Sequence, residues 1–368
     1  MVKVVVVGAG ILGASTAYHL AREGCAVTLV DRADQGRATA AGAGIVCPWG
    51  SLIEDAPSYA LLAGGARYYP YLVALLAEDG ERDLGYTQVG GLYLPGEPWE
   101  LDAVERRARS RAADSPEAGR IERLSSADAI ALFPPLGPDR PALLVSGGAR
   151  VDGRRLAAGL QRAAGKHRVR SVYGSAELVL GGNRVQGVRV DGALLEADSV
   201  VVAAGAWAPA LLAPAGVQLA VEPQRGQIVH LRSPGTETAH WPVLMPLDSY
   251  YLLAFEDSRV VVGATRETSA GFDYRLTAAG VAEVLAAGLA VAPGLAGWTL
   301  HEMRIGFRPI ARDGRPKLGS VPGIDNLFVG NGLGPSGLTM GPYAGALLAK
   351  ALLGKPVDLA LAPFSLPD

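Results

Sequence analysis

The sequence predicts an α/β fold: a Rossmann-like domain on a parallel sheet, accompanied by a second lobe rich in strands and turns. Three stretches carry that reading. Residues 2–7 are β-branched and short enough for a strand buried on both faces, and Gly8, Gly10 and Gly13 follow at once with G-x-G-x-x-G spacing. Residues 199–203 form a second buried strand that runs straight into the small residues Ala204, Gly205 and Ala206. Residues 327–329 repeat the opening arrangement, with a glycine-rich turn over 330–337 and a helix from Leu338 to about residue 353. At 368 residues the chain exceeds what one hydrophobic core usually supports, so two lobes are expected.

Taken in order, the helix opened by the glycines covers residues 11–23 and stops at Gly24, and residues 26–30 form a strand ending in Asp31. One glycine permits the tight turn, one leaves backbone bare for a pyrophosphate, and one lets helix pack closely on strand. Asp31 stands 18 residues beyond Gly13, where a carboxylate accepts hydrogen bonds from both hydroxyls of an adenosine ribose. Strand, triplet, helix and acid together point to a dinucleotide. Segment 32–44 opens with Arg32 and carries Ala40, Ala41 and Gly42. It reads as too flexible and too polar at its start for a core helix, and its small side chains let backbone approach a flat ligand.

Residues 58–78 have helical periodicity around Leu61, Leu62, Leu72, Leu75 and Leu76. Residues 86–94 are strand-like, 101–111 form a charged helix expected to face solvent, and Ser125, Ser126 and Asp128 are cap candidates for a short helix ended by Pro134-Pro135. A helix over 154–164 leads to strands at 169–173, 176–180 and 185–190, the last two joined by Gly181-Gly182-Asn183. Residues 218–231 alternate, and the strands 250–254 and 259–263 are joined by Glu256-Asp257-Ser258. Residues 276–289 are helical, Pro293-Gly294 stops them, and 301–307 are extended.

Composition narrows the partners. A net charge of -2 without a basic run argues against nucleic acid or an anionic membrane surface and in favour of a small molecule. Cys25 and Cys47 have neither the spacing of a metal site nor the density of a disulfide scaffold, which fits a reducing cytoplasm. The chain starts directly in a strand, and its apolar runs are interrupted before membrane-spanning length, so a soluble cytoplasmic protein is expected.

The opening fingerprint, the stretch Val200-Val201-Val202-Ala203-Ala204-Gly205-Ala206-Trp207-Ala208, and Gly306-Phe307-Arg308-Pro309 with Asp313-Gly314-Arg315-Pro316-Lys317-Leu318-Gly319 resemble the D-amino-acid oxidase superfamily of FAD enzymes, of the glycine oxidase and bacterial D-amino-acid dehydrogenase type. Pro223-Gln224-Arg225-Gly226-Gln227, Val261-Val262-Gly263-Ala264-Thr265 and Asn331-Gly332-Leu333-Gly334-Pro335-Ser336-Gly337-Leu338-Thr339 fit as well, in the family's order over nearly the whole chain. The resemblance implies a discontinuous FAD-binding domain (1–80, 145–215 and 302–368) and a substrate domain on a mixed, largely antiparallel sheet (81–144 and 216–301). The cofactor set it implies is Gly8, Gly10, Ile11, Leu12 and Gly13 at the pyrophosphate; Asp31 and Arg32 at the ribose; Ala40, Ala41, Gly42, Ala204, Gly205 and Trp207 along the flavin; and Gly332, Gly334, Pro335, Ser336, Gly337, Leu338 and Thr339 at the pyrimidine end. Arg308 is implied as the carboxylate clamp and Tyr251 as the active-site tyrosine, with Tyr250 on the opposite face. Many relatives have a histidine where this chain has Leu333, and no cysteine or histidine matches a covalent tether, so non-covalent FAD is implied. Cys47, by its place after Gly44-Ile45-Val46, is a candidate neighbour of the flavin ring.

The activity implied is hydride transfer from a small amino acid, such as a D-amino acid, glycine, sarcosine or proline, to the flavin, with oxygen or another acceptor taking the electrons. Two alternatives stay open: oxidation of a C–O bond in a 2-hydroxy acid or polyol phosphate, and a non-catalytic flavin sensor. An oligomer is compatible with either.

Overall fold

The computed structural model describes residues 1–247 and 250–367. Its first sheet has six strands in the order Lys317–Ser320, Leu327–Asn331, Ser199–Val202, β1 (Lys3–Val7), β2 (Ala26–Asp31) and Arg170–Tyr173, parallel except for the first pair. The valines of β1 alternate between two cores, as the period of a strand demands. Val4 and Val6 pack beneath α1 (Ile11–Arg22) and the closing helix, while Val5 and Val7 meet a three-stranded hairpin sheet of Ala176–Gly181, Arg184–Val190 and Ala193–Glu196. Helices on one face and a sheet on the other explain why β1 is a continuous β-branched run.

Between the sheets lie the four-residue helix α2 (Ala38–Ala41) and the N-terminus of α3 (Gly337–Leu352). The second sheet has eight strands built around β3 (Val221–Arg232), β4 (Tyr251–Phe255), β5 (Arg259–Gly263) and β6 (Thr299–Ala311), in the order β6-β3-β5-β4 followed by Val243–Pro246, Gly91–Leu94, Ala142–Val145 and Ile121–Leu124. It is mixed: Val243–Pro246 runs parallel to Gly91–Leu94, and the other pairings are antiparallel. Val229, Leu252, Ala254, Val260 and Val262 point to a core capped by the helix Ala278–Val291, whereas Ile228, Leu253, Val261 and Tyr251 point the other way, towards Ala43 and Ile45. Among the described residues, no helix is long and apolar enough to cross a membrane.

Several elements differ from the sequence expectation. The small-residue segment contains the helix Ala38–Ala41, held by contact with β6 in spite of its weak local signal. The charged helix spans Pro98–Ala112 and buries Leu101, Val104 and Ala108 against Tyr93 and Leu143, so only part of its surface faces solvent. Ser125 caps the helix Ser126–Leu132 through the Asp128 N–H. The four-residue strands Ile121–Leu124, Ala142–Val145, Ala193–Glu196, Val243–Pro246 and Lys317–Ser320 were not read, because so short a run shows no period and its ladder partner supplies the order. β6 runs well past residues 301–307 because it pairs along the whole of the long β3, with one register shift at His230/Leu231.

The crossing of β1 and α1 yields a test. A Cβ on Gly13 would run into the Gly8 carbonyl and lie 3.1 Å from the Ala203 side chain, so Gly13→Ala should cost about 1–3 kcal/mol of stability in urea denaturation. Gly165, exposed near the end of the helix Gly153–Lys166 with nothing within 4 Å of a built Cβ, should accept alanine with a change of between zero and about +1 kcal/mol. Equal responses at the two positions would contradict the close packing.

Candidate active site

The glycine turn after β1 is tight because backbone crosses backbone. Gly8 has φ +108°, and a side chain there would collide with the Ala203 carbonyl at the end of the neighbouring strand. Gly10 differs: a Cβ would meet only the Thr39 hydroxyl, at 3.3 Å, so the turn keeps a bare edge. The first helical N–H, on Ile11, donates to Thr39 Oγ1 at 2.9 Å, and no side chain caps α1 from its own N-cap position. Unsatisfied N–H groups at a helix N-terminus attract an anion. Gly8, Gly10, Ile11 and Leu12 line a long cleft there, while Gly13 sits behind it as a packing residue.

At the end of β2 the Asp31 carboxylate accepts from the Ala9 N–H at 2.6 Å and the Ala33 N–H at 2.6 Å, and Arg37 lies 3.4 Å away. The acid therefore ties the turn to the second strand while still facing the cleft. Arg32 lines the cleft and pairs with Asp34 at 2.6 Å. Sequence reasoning missed Arg37 and Thr39, which lie in the segment read as a loop, and Gly174, Ser175, Ala176 and Glu177, which close this end of the cleft from the start of the hairpin sheet.

Further along, Ala41 and Gly42 line the cleft, and α2 rests on Gly306, where a Cβ would lie 2.7 Å from that of Ala41. Ala40 is turned away, its carbonyl accepting from Arg154 Nε at 2.8 Å. Ala204, Gly205 and Trp207 form the opposite wall. Asn331, also missed, braces it by donating to the Gly205 carbonyl at 2.9 Å and accepting from the Gly332 N–H at 2.7 Å. Gly332, Gly334, Pro335, Gly337 and Leu338 bring the N-terminus of α3 to the cleft. Ser336 lies instead in a neighbouring recess beside Asp55 and Arg315, and Thr339 Oγ1 donates to the Ile45 carbonyl at 2.7 Å. Cys47 is not among the cleft-lining residues; it is buried against Tyr93 and Gly91, and burial pushes its thiol up to about 12.

The far end of the cleft is floored by the second sheet. Tyr251 on β4 pairs with Gly263 on β5, and a Cβ there would sit 2.5 Å from the phenol oxygen. Arg308 on β6 lies over Gly226 on β3, where a Cβ would be 2.7 Å from both terminal guanidinium nitrogens. Two bare strand positions thus seat the two side chains. Arg308 Nη1 donates to the Thr265 carbonyl at 3.0 Å and to Gln224 Oε1 at 3.4 Å, and Arg266, the next residue after that carbonyl, also lines the cleft. The segment is anchored beneath by buried Arg225, paired with Glu267 and with Asp273 at 2.9 Å. Burial raises the Tyr251 pKa against the opposing pull of Arg308 and Arg266, so the phenol keeps its proton at neutral pH. Tyr250 points to the other face and donates to Glu283 at 2.6 Å.

All five histidines lie outside the cleft lining. His19 bonds Tyr68, His167 bonds Asp79, and His230 bonds Arg259; burial holds His19 and His230 down at about 3. No group of described residues has the composition of a metal site.

Comparison with known proteins agrees with this architecture. Residues 3–351 match the family described as DAO, FAD dependent oxidoreductase. An uncharacterized oxidoreductase of Bacillus subtilis (strain 168), YurR, is 47% identical over 99% of this chain and 98% of its own. Glycine oxidase of Pseudomonas aeruginosa is 31% identical over 99% of this chain and 98% of its own. Among solved structures, iminodiacetate oxidase (IdaA) from Chelativorans sp. BNC1 superposes with a TM-score of 0.96 at 51% identity, covering 98% of each chain.

The cradle around Gly8 and Gly10, which side chains would fill, suits a pyrophosphate, and Asp31 suits a ribose. Asp31→Ala removes a charged acceptor and frees the Ala9 and Ala33 N–H groups together. FAD affinity should fall at least about tenfold, measured by flavin retention on dialysis and by titration of the apoprotein. Full retention in the variant would remove Asp31 from the cofactor site.

Proposed function

The chain belongs to the DAO family of FAD-dependent oxidoreductases, and from that premise we propose that it oxidises the C–N bond of a small amino acid or secondary amine whose carboxylate is held by Arg308. The observation that carries this reading is the pairing of Arg308 and Tyr251 on one face of the second sheet, at the end of the cleft away from Asp31. The names of the relatives, glycine oxidase and iminodiacetate oxidase, support a primary or secondary amine.

Non-covalent FAD is part of the proposal, because neither a cysteine nor a histidine lines the cleft. Bound FAD supplies the hydride acceptor, N5 of its ring. The chain supplies position. A guanidinium fork takes a carboxylate through two parallel hydrogen bonds, and Arg308, already fixed through Nη1 on Thr265, holds the substrate with little loss of its own freedom. Tyr251 keeps its proton and is a donor and wall rather than a base. The amine must enter or become neutral, its proton passing to water. The Cα–H then leaves with its electron pair, and the C=N product takes up water to give a 2-oxo acid and the freed amine. Oxidation of a C–O bond would call for a base near the hydroxyl, and the placement of all five histidines outside the cleft lining speaks against that alternative.

Anaerobic mixing with glycine, sarcosine, proline and D-amino acids should bleach the flavin absorbance with at least one of them, and a protein bleached by none would be a sensor. Arg308→Ala should raise KM by about 100-fold or more for the same compound, as expected from losing charge-assisted hydrogen bonds each contributing about 1.5–3 kcal/mol. Comparable turnover of an amino acid and its amide would count against the clamp. Tyr251→Phe should slow flavin reduction only about tenfold, short of the roughly 100-fold to 10,000-fold expected for a lost general base. A thousandfold loss with binding intact would instead make the tyrosine a proton acceptor.

A further inference from the structure

The Arg308 guanidinium is aimed by protein acceptors before any ligand arrives. Nη1 donates to the Thr265 carbonyl at 3.0 Å and to Gln224 Oε1 at 3.4 Å. Both acceptors are held by one short stretch, residues 265–268: the carbonyl belongs to it, and the Gln224 amide donates to Thr268 Oγ1 at 3.2 Å. A carboxylate is then met by the rest of the fork, beside the Tyr251 phenol. The direction of that fork is only as well defined as the stretch that holds it.

The stretch is pinned from the opposite face of the sheet. Glu267 exchanges two backbone hydrogen bonds with Arg225 of β3, at 2.9 and 3.1 Å, so residues 265–267 lie beside 225–227 in the manner of an added strand. Side chains along a strand alternate. Gly226 and Ile228 line the cleft, while Arg225, Gln227, Thr265 and Glu267 gather on the far side, where Gln227 packs so closely on the helix Ala278–Val291 that a Cβ on Gly280 would collide with it. Glu267 is the centre of this group. Its Oε1 accepts from Gln227 Nε2 at 2.8 Å and from the Thr265 hydroxyl at 2.7 Å, and its Oε2 pairs with buried Arg225. The Thr265 hydroxyl also accepts from the Gln227 N–H at 2.9 Å, which leaves its own proton for Glu267. Burial works against a charge here, but Arg225, Gln227 and Thr265 together hold the Glu267 carboxyl below the usual glutamate range, so it acts as an acceptor only. An unbroken chain of directional contacts thus leads from Glu267 through Thr265 to Arg308 Nη1.

We propose that Glu267 is a positioning residue for carboxylate recognition: it lies outside the cleft lining and fixes the 265–268 stretch by which the Arg308 guanidinium is aimed. The proposal rests on the reading of Arg308 as the carboxylate clamp and adds what gives that clamp its direction.

Methoxyacetate is a carboxylate without a C–N bond to oxidise, and its binding to the FAD-loaded protein can be titrated through the flavin spectrum. Glu267→Gln should weaken it about tenfold, since a misdirected fork keeps its charge and loses its paired hydrogen bonds. Arg308→Lys has no fork to aim, so adding Glu267→Gln to it should change binding by less than about twofold further. In kinetics, Glu267→Gln should raise KM for the best amino-acid substrate about tenfold and leave kcat within about threefold. Thr265→Val should show the same effect on KM, and Thr265→Ser, which keeps the hydroxyl, should recover most of it. A purely structural role would weaken binding equally whether position 308 is arginine or lysine. Equal losses in the two backgrounds, unaltered methoxyacetate binding in Glu267→Gln, or a fall in kcat with KM unchanged would each overturn the proposal. If Arg308→Lys binds methoxyacetate as tightly as the wild type, the clamp fails and the proposal with it. Failure to oxidise any amine, with the contrast between backgrounds intact, would instead overturn the reading of the reaction.

Discussion

The structure depends on backbone packed against backbone where β1, α1 and the strand Ser199–Val202 meet. A side chain at Gly8 would collide with the Ala203 carbonyl, and one at Gly13 would collide with Gly8 itself. Because those two positions are bare, the start of α1 comes down onto the carboxyl edge of the parallel sheet, and Gly10 can present an open edge beside it. Everything along the cleft is then located relative to this edge. Asp31 reaches the Ala9 N–H only because β2 ends level with the turn, and Asn331 reaches Gly205 only because the strand Leu327–Asn331 ends beside Ser199–Val202. Four parallel strands ending in register make one groove, which is the general reason such sheets bind ligands at their carboxyl edge.

The second sheet repeats the device with side chains in place of a helix. Gly263 leaves room for the Tyr251 phenol and Gly226 for the Arg308 guanidinium, so both groups lie across the sheet where a ligand can rest on them. Gly306 performs a related service by admitting α2, which brings the small residues 41–44 between the two sheets. Glycine in a strand weakens the strand, and its presence at these three positions is explained by what approaches each one.

The parts of this arrangement encoded by local spacing could be read from the chain. The triplet, the acid at the end of β2 and the repeated strand-turn-helix near the C-terminus each depend on neighbours within about thirty residues. Arg37 and Thr39 were hidden because flexible composition suggested a loop, whereas contact with β6 winds the segment into a helical turn. Gly226 was visible as a glycine, yet nothing near it in sequence announces Arg308. Arg266 directly follows a recognised motif, but whether its side chain enters the cleft depends on the path fixed by Arg225 and Glu267. Ser336 and Thr339 belong to the same glycine-rich motif, but Ser336 lines the recess beside Asp55 and Arg315 and the Thr339 hydroxyl is taken up by the Ile45 carbonyl, contacts across the chain that the spacing of the motif does not announce. Cys47 likewise follows cleft-lining residues and then turns into the core with Tyr93.

One geometric requirement remains, since Arg308 stands on one sheet and the glycine turn on the other, and the angle between the sheets must be held. Apolar contact alone fixes such an angle loosely, because hydrophobic attraction has no direction. Directional partners lie where the helix Gly153–Lys166 meets the second sheet. Its N-cap, Asp152, binds the Arg154 and Arg155 N–H groups and also receives Arg259 of β5 at 3.3 Å. Arg150, almost wholly buried, reaches Glu256 at 3.0 Å in the turn between β4 and β5, and Arg155 joins the same carboxylate. Arg154 then binds the Ala40 carbonyl of α2, at the cleft wall. Buried ion pairs add little net stability, because desolvation offsets most of their attraction. Their directional geometry is what serves here: each pair closes at one relative placement of the two sheets, and the chain of contacts from β5 through Asp152 to Ala40 passes that placement to the wall of the cleft.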